Sequence, residues 1–173
     1  MREKINKNAQ AWGTDLMVGF TLFFIGIVFF YLYALNQPGQ GEEAIEKLFY
    51  DGKIIANSIL SEGHPENWNS SNVIKTGILS NNKINETKLT LFYNLSLCEY
   101  DKTRILFNTR YDYYFFLNST ITIDSVEQDG IGKPGEDRNN IPTNSNIRNL
   151  VKITRFTVYK NKPITAYLYI WEE

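Results

Sequence analysis

The distribution of apolar and polar positions divides the chain into regions with different rules. Residues 16–35 form one apolar run with no charge in it, interrupted only by Gly19, Thr21 and Gly26. About 20 residues at 1.5 Å each make a helix of roughly 30 Å, the thickness of a bilayer's hydrocarbon core. From residue 42 to about 60 the pattern changes. Ala44, Ile45, Leu48, Phe49, Ile54, Ile55, Ile59 and Leu60 recur mostly at separations of a helical face, which predicts an amphipathic helix that Gly52 interrupts.

Two more helical stretches follow. One opens near Asn85 and carries Leu89, Phe92, Tyr93 and Leu97; the other covers residues 100–107. The aromatic run Tyr111-Asp112-Tyr113-Tyr114-Phe115-Phe116-Leu117 then has strand composition. Residues 124–149, rich in Gly, Asn, Asp and Pro, read as a long loop. Beyond it, residues 150–159 and 164–171 predict a hairpin. With Asn161 and Lys162 as its turn, Tyr159 pairs with Ile164, Arg155 with Leu168 and Ile153 with Ile170. Ile153, Ile164, Ala166, Leu168 and Ile170 then share a face that packs on a helix. Phe156, Val158, Tyr167, Tyr169 and Trp171 take the other, as a contact surface or as a floor under the long loop. The fold class expected is α+β: an N-terminal transmembrane helix, then helices packed on a small antiparallel sheet.

Charge gives the apolar run a direction. Arg2, Lys4 and Lys7 precede it against Glu3, whereas Glu42, Glu43 and Glu46 are the first charges after it. The positive-inside rule places the amino terminus in the cytoplasm and the rest outside the cell membrane. Trp12 at one end and Tyr31 and Tyr33 at the other suit the two interfacial belts. No small-x-small cleavage site follows the run, so it does not read as a removed secretory signal. Asn36-Gln37-Pro38-Gly39-Gln40-Gly41 reads as a breaker.

The remaining composition excludes more than it offers. The net charge is −1 with no basic stripe, which argues against a nucleic-acid partner. Cys98 is the single cysteine, so no internal disulfide framework exists, and a buried apolar thiol is expected. His64 is the single histidine, which leaves histidine triads and multi-histidine metal sites without ligands; it reads as a loop residue near Trp68. The acidic positions Asp124, Glu127, Asp129, Glu136 and Asp137 lack the alternating spacing of a calcium loop. No metal, cofactor or catalytic constellation is implied, and the expectation is a protein that is not an enzyme.

The leader, together with the apolar run, resembles the class III signal of archaeal type IV pilin-like proteins. In that family a short basic leader is cut by a prepilin peptidase on the cytoplasmic side, ahead of the hydrophobic helix. Here Lys7-Asn8-Ala9 ends the leader and Gln10-Ala11-Trp12-Gly13-Thr14-Asp15 opens the mature chain. Asp15 is sixth where the family's acidic residue is about fifth, and Ala9 stands where glycine is commoner. Gly63-His64-Pro65-Glu66-Asn67-Trp68, the 111–115 aromatic segment and the closing hairpin are looser similarities. Pro38-Gly39 departs from the continuous helix of typical pilins.

The resemblance implies processing between Ala9 and Gln10. Assembly would use Asp15, which pairs with the new terminal amine of a neighbouring subunit, and Gly19 and Gly26, which let helices approach closely. A plain anchor would instead use Asp15 as a helix cap or interfacial residue. The implied divisions are a cytoplasmic leader at 1–9, a membrane and assembly helix at 10–36, a hinge at 37–41 and an extracellular head at 42–173. Membrane, prepilin peptidase and other pilin-like subunits are the partners implied. An uncleaved single-pass protein whose head binds a partner, through the 124–149 loop for instance, is the alternative. Four N-x-[ST] sequons, at Asn69, Asn85, Asn94 and Asn118, are candidate glycosylation sites, with Asn94 expected in a partly buried stretch.

Overall fold

The computed structural model describes residues 7–36, 40–124 and 126–173. It divides into two compact units, Met1–Glu42 and Glu43–Glu173. The first contains helix α1, Lys7–Asn36, 30 residues long. Its apolar side chains point in every direction, so no one face is reserved for a core.

Helix α2, Gln40–Ile59, leads into the second unit. The expected hinge is thus partly helical: Gln40 and Gly41 belong to α2, while residues 37–39, with Pro38 and Gly39, lie outside the described residues. Leu48, Ile55, Ala56 and Ile59 turn into the core. Gly52 does not interrupt the helix. A Cβ there would lie 3.0 Å from Ile170 Cγ2 and 3.1 Å from Ile153 Cγ1, so its missing side chain is what lets α2 sit close on the sheet. At this position packing against the sheet outweighs the roughly 1 kcal/mol helix penalty of glycine.

A loop follows, built around Trp68. The indole is buried and donates to the Gly77 carbonyl at 2.9 Å. Gly63 lies beneath it with φ +76°, and a Cβ there would fall 2.6 Å from Trp68 Cδ1. A short hairpin of β1, Leu79–Ser80, and β2, Lys83–Ile84, precedes helix α3, Glu86–Cys98. Asn85 caps α3 by accepting from the Lys88 amide at 3.1 Å. Helix α4, Tyr100–Leu106, completes the helical part.

The main sheet is antiparallel with strand order β6-β3-β8-β7. These are Ile131–Gly132, Asp112–Leu117, Lys162–Glu172 and Asn149–Tyr159. A separate ribbon pairs β4, Ile121–Ile123, with β5, Val126–Gln128. The segment 124–149 is therefore not loop throughout: it supplies β5, the sheet-edge strand β6 and a 3-10 turn at Ile141–Thr143. Residue composition hid these strands because each is only two or three residues long.

The closing hairpin forms in a different register from the one its proline suggests. Lys160 and Asn161, with φ of +49° and +61°, make the turn, so Tyr159 faces Lys162 and Ile153 faces Leu168. The offset from the expected pairing is two residues. Because side chains alternate with period two, an even offset leaves the faces intact. Ile153, Ile164, Ala166, Leu168 and Ile170 do share a buried face, joined there by Tyr113, Phe115 and Leu117 of β3 and by the core residues of the helices. Pro163 is tolerated because its missing N–H faces the β3 side, where β3 ends at Leu117 opposite Ala166.

On the opposite face, Tyr114, Phe116 and Trp171 are buried with Ile141 of the 133–148 segment, and Tyr167 and Tyr169 are half-buried. Most of the expected aromatic surface is thus the floor of a second small core. Phe156, 85% exposed, is the exception.

Candidate functional site

The longest apolar surface of the described chain is α1 itself. Every side chain from Trp12 to Leu35 is exposed, and this stretch is long and apolar enough to cross a membrane. The local chemistry suits an apolar medium. Thr21 Oγ1 donates to the Met17 carbonyl at 2.8 Å, which satisfies the one aliphatic hydroxyl inside the 16–35 run without water. Phe20 and Phe24 meet one turn apart with ring centroids 4.8 Å apart and planes tilted by 55°.

The backbone at Ala9 and Gln10 belongs to the helix. Asp15 is exposed at the start of the apolar run, five residues beyond Gln10. Gly19 and Gly26 are seven residues apart, about two turns, so they fall on one side of the helix. A Cβ at either would meet nothing within 4 Å, in contrast to Gly52. The surface they leave is open. Arg2 and Lys4 lie outside the described residues.

In the head, the sequons separate by exposure. Asn69, Asn94 and Asn118 are exposed and Asn85, the α3 cap, is half-buried. Asn94 was expected in a partly buried stretch, but it falls on the outward side of α3, whose buried side is Leu89, Phe92, Leu95 and Ser96. Cys98 also departs from expectation: it is exposed, because it ends α3 after the buried face has turned away. His64 pairs with Lys75 through the backbone, beside the Trp68 loop.

Several polar groups that composition did not single out tie this head together. Tyr100 Oη donates to Asp112 Oδ1 at 3.1 Å and accepts the Tyr113 amide at 3.0 Å. The Tyr113 hydroxyl is buried against Thr103 Oγ1 at 2.6 Å. Burial holds both phenols well above the usual tyrosine range, and the Asp112 carboxylate adds to the effect at Tyr100. Lys133 bridges Asp112 at 2.8 Å and Glu173 at 2.5 Å. Burial works against its charge, but the two carboxylates outweigh that and raise its pKa, while Lys133 in turn lowers that of Glu173. Lys88, buried, donates to the Glu62 and Leu79 carbonyls at 2.8 and 3.0 Å and so fastens α3 to the Trp68 loop and to β1.

These contacts cross-link the elements of the head. Asp129 of the acidic loop is engaged by Arg138 and by the Tyr114 hydroxyl. Among the described residues no three His, Cys, Asp or Glu side chains are grouped to hold a metal ion. No protein-family model, curated protein or solved structure matches the chain.

Proposed function

We propose that the chain is a pilin-like or pseudopilin subunit of an archaeal cell surface. The leader is cut between Ala9 and Gln10, α1 holds the subunit in the membrane, and the same helix then enters a filament core. The amino terminus faces the cytoplasm and the head faces out. The role is polymerisation and display, without catalysis or a cofactor.

The observation that carries this reading is α1, which runs as one helix through the cut position and Asp15 to Asn36 and is exposed on all sides over its apolar length. An anchor needs contact with lipid alone. A helix that moves from lipid into a bundle of its own kind also needs small residues on one side, which Gly19 and Gly26 supply, and a charge for register, which Asp15 supplies.

The head favours a second reading: an uncleaved single-pass protein whose outer domain binds a partner. Its core draws on α2, α3 and the sheet, which equips it to act as an independent module. Mass spectrometry of the mature amino terminus separates the two. A chain that begins at Gln10 and is recovered in a surface filament is the expected result. One that keeps residues 1–9 sinks the pilin reading and leaves the tethered binding module.

A further inference from the structure

Residues 133–148 lie on the outer face of the main sheet as a strap, stitched down at both ends and lightly held between them. At one end the Lys133 amide donates to the Tyr113 carbonyl at 3.0 Å, and its ammonium pairs with Asp112 and Glu173. At the other, the Arg148 amide donates to the Glu172 carbonyl at 2.9 Å. From Pro134 to Ile147 the backbone hydrogen bonds stay inside the strap: Ile141 donates to Asp137, Thr143 to Asn140, Asn144 to Ile141 and Ile147 to Asn144. Among the described residues, Arg138 alone ties this stretch to the rest of the head by hydrogen bonds. Its amide donates to Asp129 Oδ2 at 3.0 Å, and its Nε donates to Asp129 Oδ1. Its Nη1 approaches the Leu117 carbonyl at 3.5 Å.

The apolar hold is equally narrow. Of residues 133–148 only Ile141 is buried, against Tyr114, Phe116 and Trp171, with Ile147 half-buried beside it. The strands beneath do not depend on it. β3 pairs with β8 along its whole length, from Asp112–Trp171 to Leu117–Ala166, and β8 pairs with β7. Their other face is fixed in the main core through Tyr113, Phe115, Leu168 and Ile170. The cost of a local opening is set by the buried contacts and hydrogen bonds it gives up. Lifting the strap gives up one buried aliphatic side chain and one ion pair whose side chains are 28% and 32% exposed, and it breaks no pair in the sheet.

We propose that residues 134–147 lift off while the main sheet stays folded, and that Arg138 on Asp129 is the latch that keeps them down. Closed, the strap seals Tyr114, Phe116 and Trp171. Open, it presents that aromatic face, while the bonds at Lys133 and Arg148 keep both ends in place. Asp129 suits the receiving side of a latch. It lies between β5 and β6, outside the strap, and its carboxylate also accepts from the Tyr114 hydroxyl at 3.3 Å. One carboxylate therefore holds both the cover and the residue it covers. The Arg138 guanidinium adds a second contact to the floor, 5.8 Å from the Phe116 ring centroid. The device is independent of whether the leader is cut.

The test uses the full chain in detergent micelles, with Cys98→Ser to remove the native thiol, and measures how fast a thiol reagent reaches a buried cysteine. Ile141→Cys probes the strap, and Ala166→Cys, at a buried position of the main core, probes the sheet. The thiol at 141 should be labelled at least about tenfold faster than the one at 166. Adding Arg138→Ala should speed labelling at 141 several-fold and leave the rate at 166 unchanged. Both members of that comparison carry the same cysteine, so any loosening by Ile141→Cys itself cancels. Equal rates at 141 and 166, acceleration of both by Arg138→Ala, or a rate at 141 indifferent to it would each overturn the proposal. If Ala166→Cys does not fold, hydrogen exchange of residues 112–117 in the Ile141→Cys chain replaces it. Those amides should stay protected with and without Arg138→Ala, and their release along with labelling at 141 would overturn the proposal equally.

Discussion

Helices α1 and α2 are both rich in large apolar side chains, yet they solve opposite problems. In α1 the apolar residues surround the axis and none of the 24-residue stretch from Trp12 to Leu35 is buried by the chain. In α2 they are sorted in part: Leu48, Ile55, Ala56 and Ile59 are inside and Lys47, Lys53 and Asn57 outside, although Ile45, Phe49 and Ile54 of the expected apolar face also remain exposed. The glycines repeat the contrast. Gly52 is pressed against Ile153 and Ile170, and Gly19 and Gly26 meet nothing. Sorting marks a helix whose partner lies in the same chain; absence of sorting marks one whose partner is lipid or another molecule.

The largest effect that would test this contrast lies in the head. Trp68→Ala removes a buried indole and its bond to Gly77 and should cost about 3–5 kcal/mol of head stability, read by denaturant unfolding. Next, Ile25→Arg in the middle of α1 should cost about 2.5–3.5 kcal/mol of membrane insertion. Head unfolding should stay within about 0.5 kcal/mol of the parent. A head that loses stability with Ile25→Arg would break the division between the two units. Gly52→Val should lower head stability by about 1–3 kcal/mol through overpacking on Ile170. Gly26→Val should leave it unchanged, because Gly26 belongs to the other unit.

The smallest and most selective effect is alkaline. Tyr100, Tyr113 and Tyr114 have pKa values raised above the ordinary 10.0, chiefly by burial. Their contribution to stability is fully present below pH 10.0 and declines as pH rises past it, because the unfolded chain releases those protons first. Tyrosinate absorbance from these three should therefore appear together with loss of circular dichroism. Ionisation well ahead of unfolding would show that the phenols are not sealed.

What could be read beforehand follows the same contrast. An unsorted apolar run needs no knowledge of tertiary structure, so α1 was legible from residues 16–35 alone. The faces of β7 and β8 were legible too, since alternation survives a register error of two. Long-range geometry was not. Gly52 looks like a breaker until Ile153 and Ile170 are brought against it, and Cys98 looks like core until α3 is seen to end there. For the candidate site, Asp15 enters through the resemblance of the leader and Gly19 and Gly26 through their spacing on one side of the helix, whereas the second neighbour that β8 takes, β3, could not be read. No local pattern carries that information.

The position of β8 has a consequence for the order of events during synthesis. This strand lies between β3 and β7 and is the partner of both, yet it follows them in the chain. Until residues 162–172 have left the ribosome, β7 has no strand neighbour and β3 has only the two-residue β6. The main sheet therefore stays open until β8 arrives between them. An interruption of synthesis just before that point would leave a chain without the central strand of its main sheet.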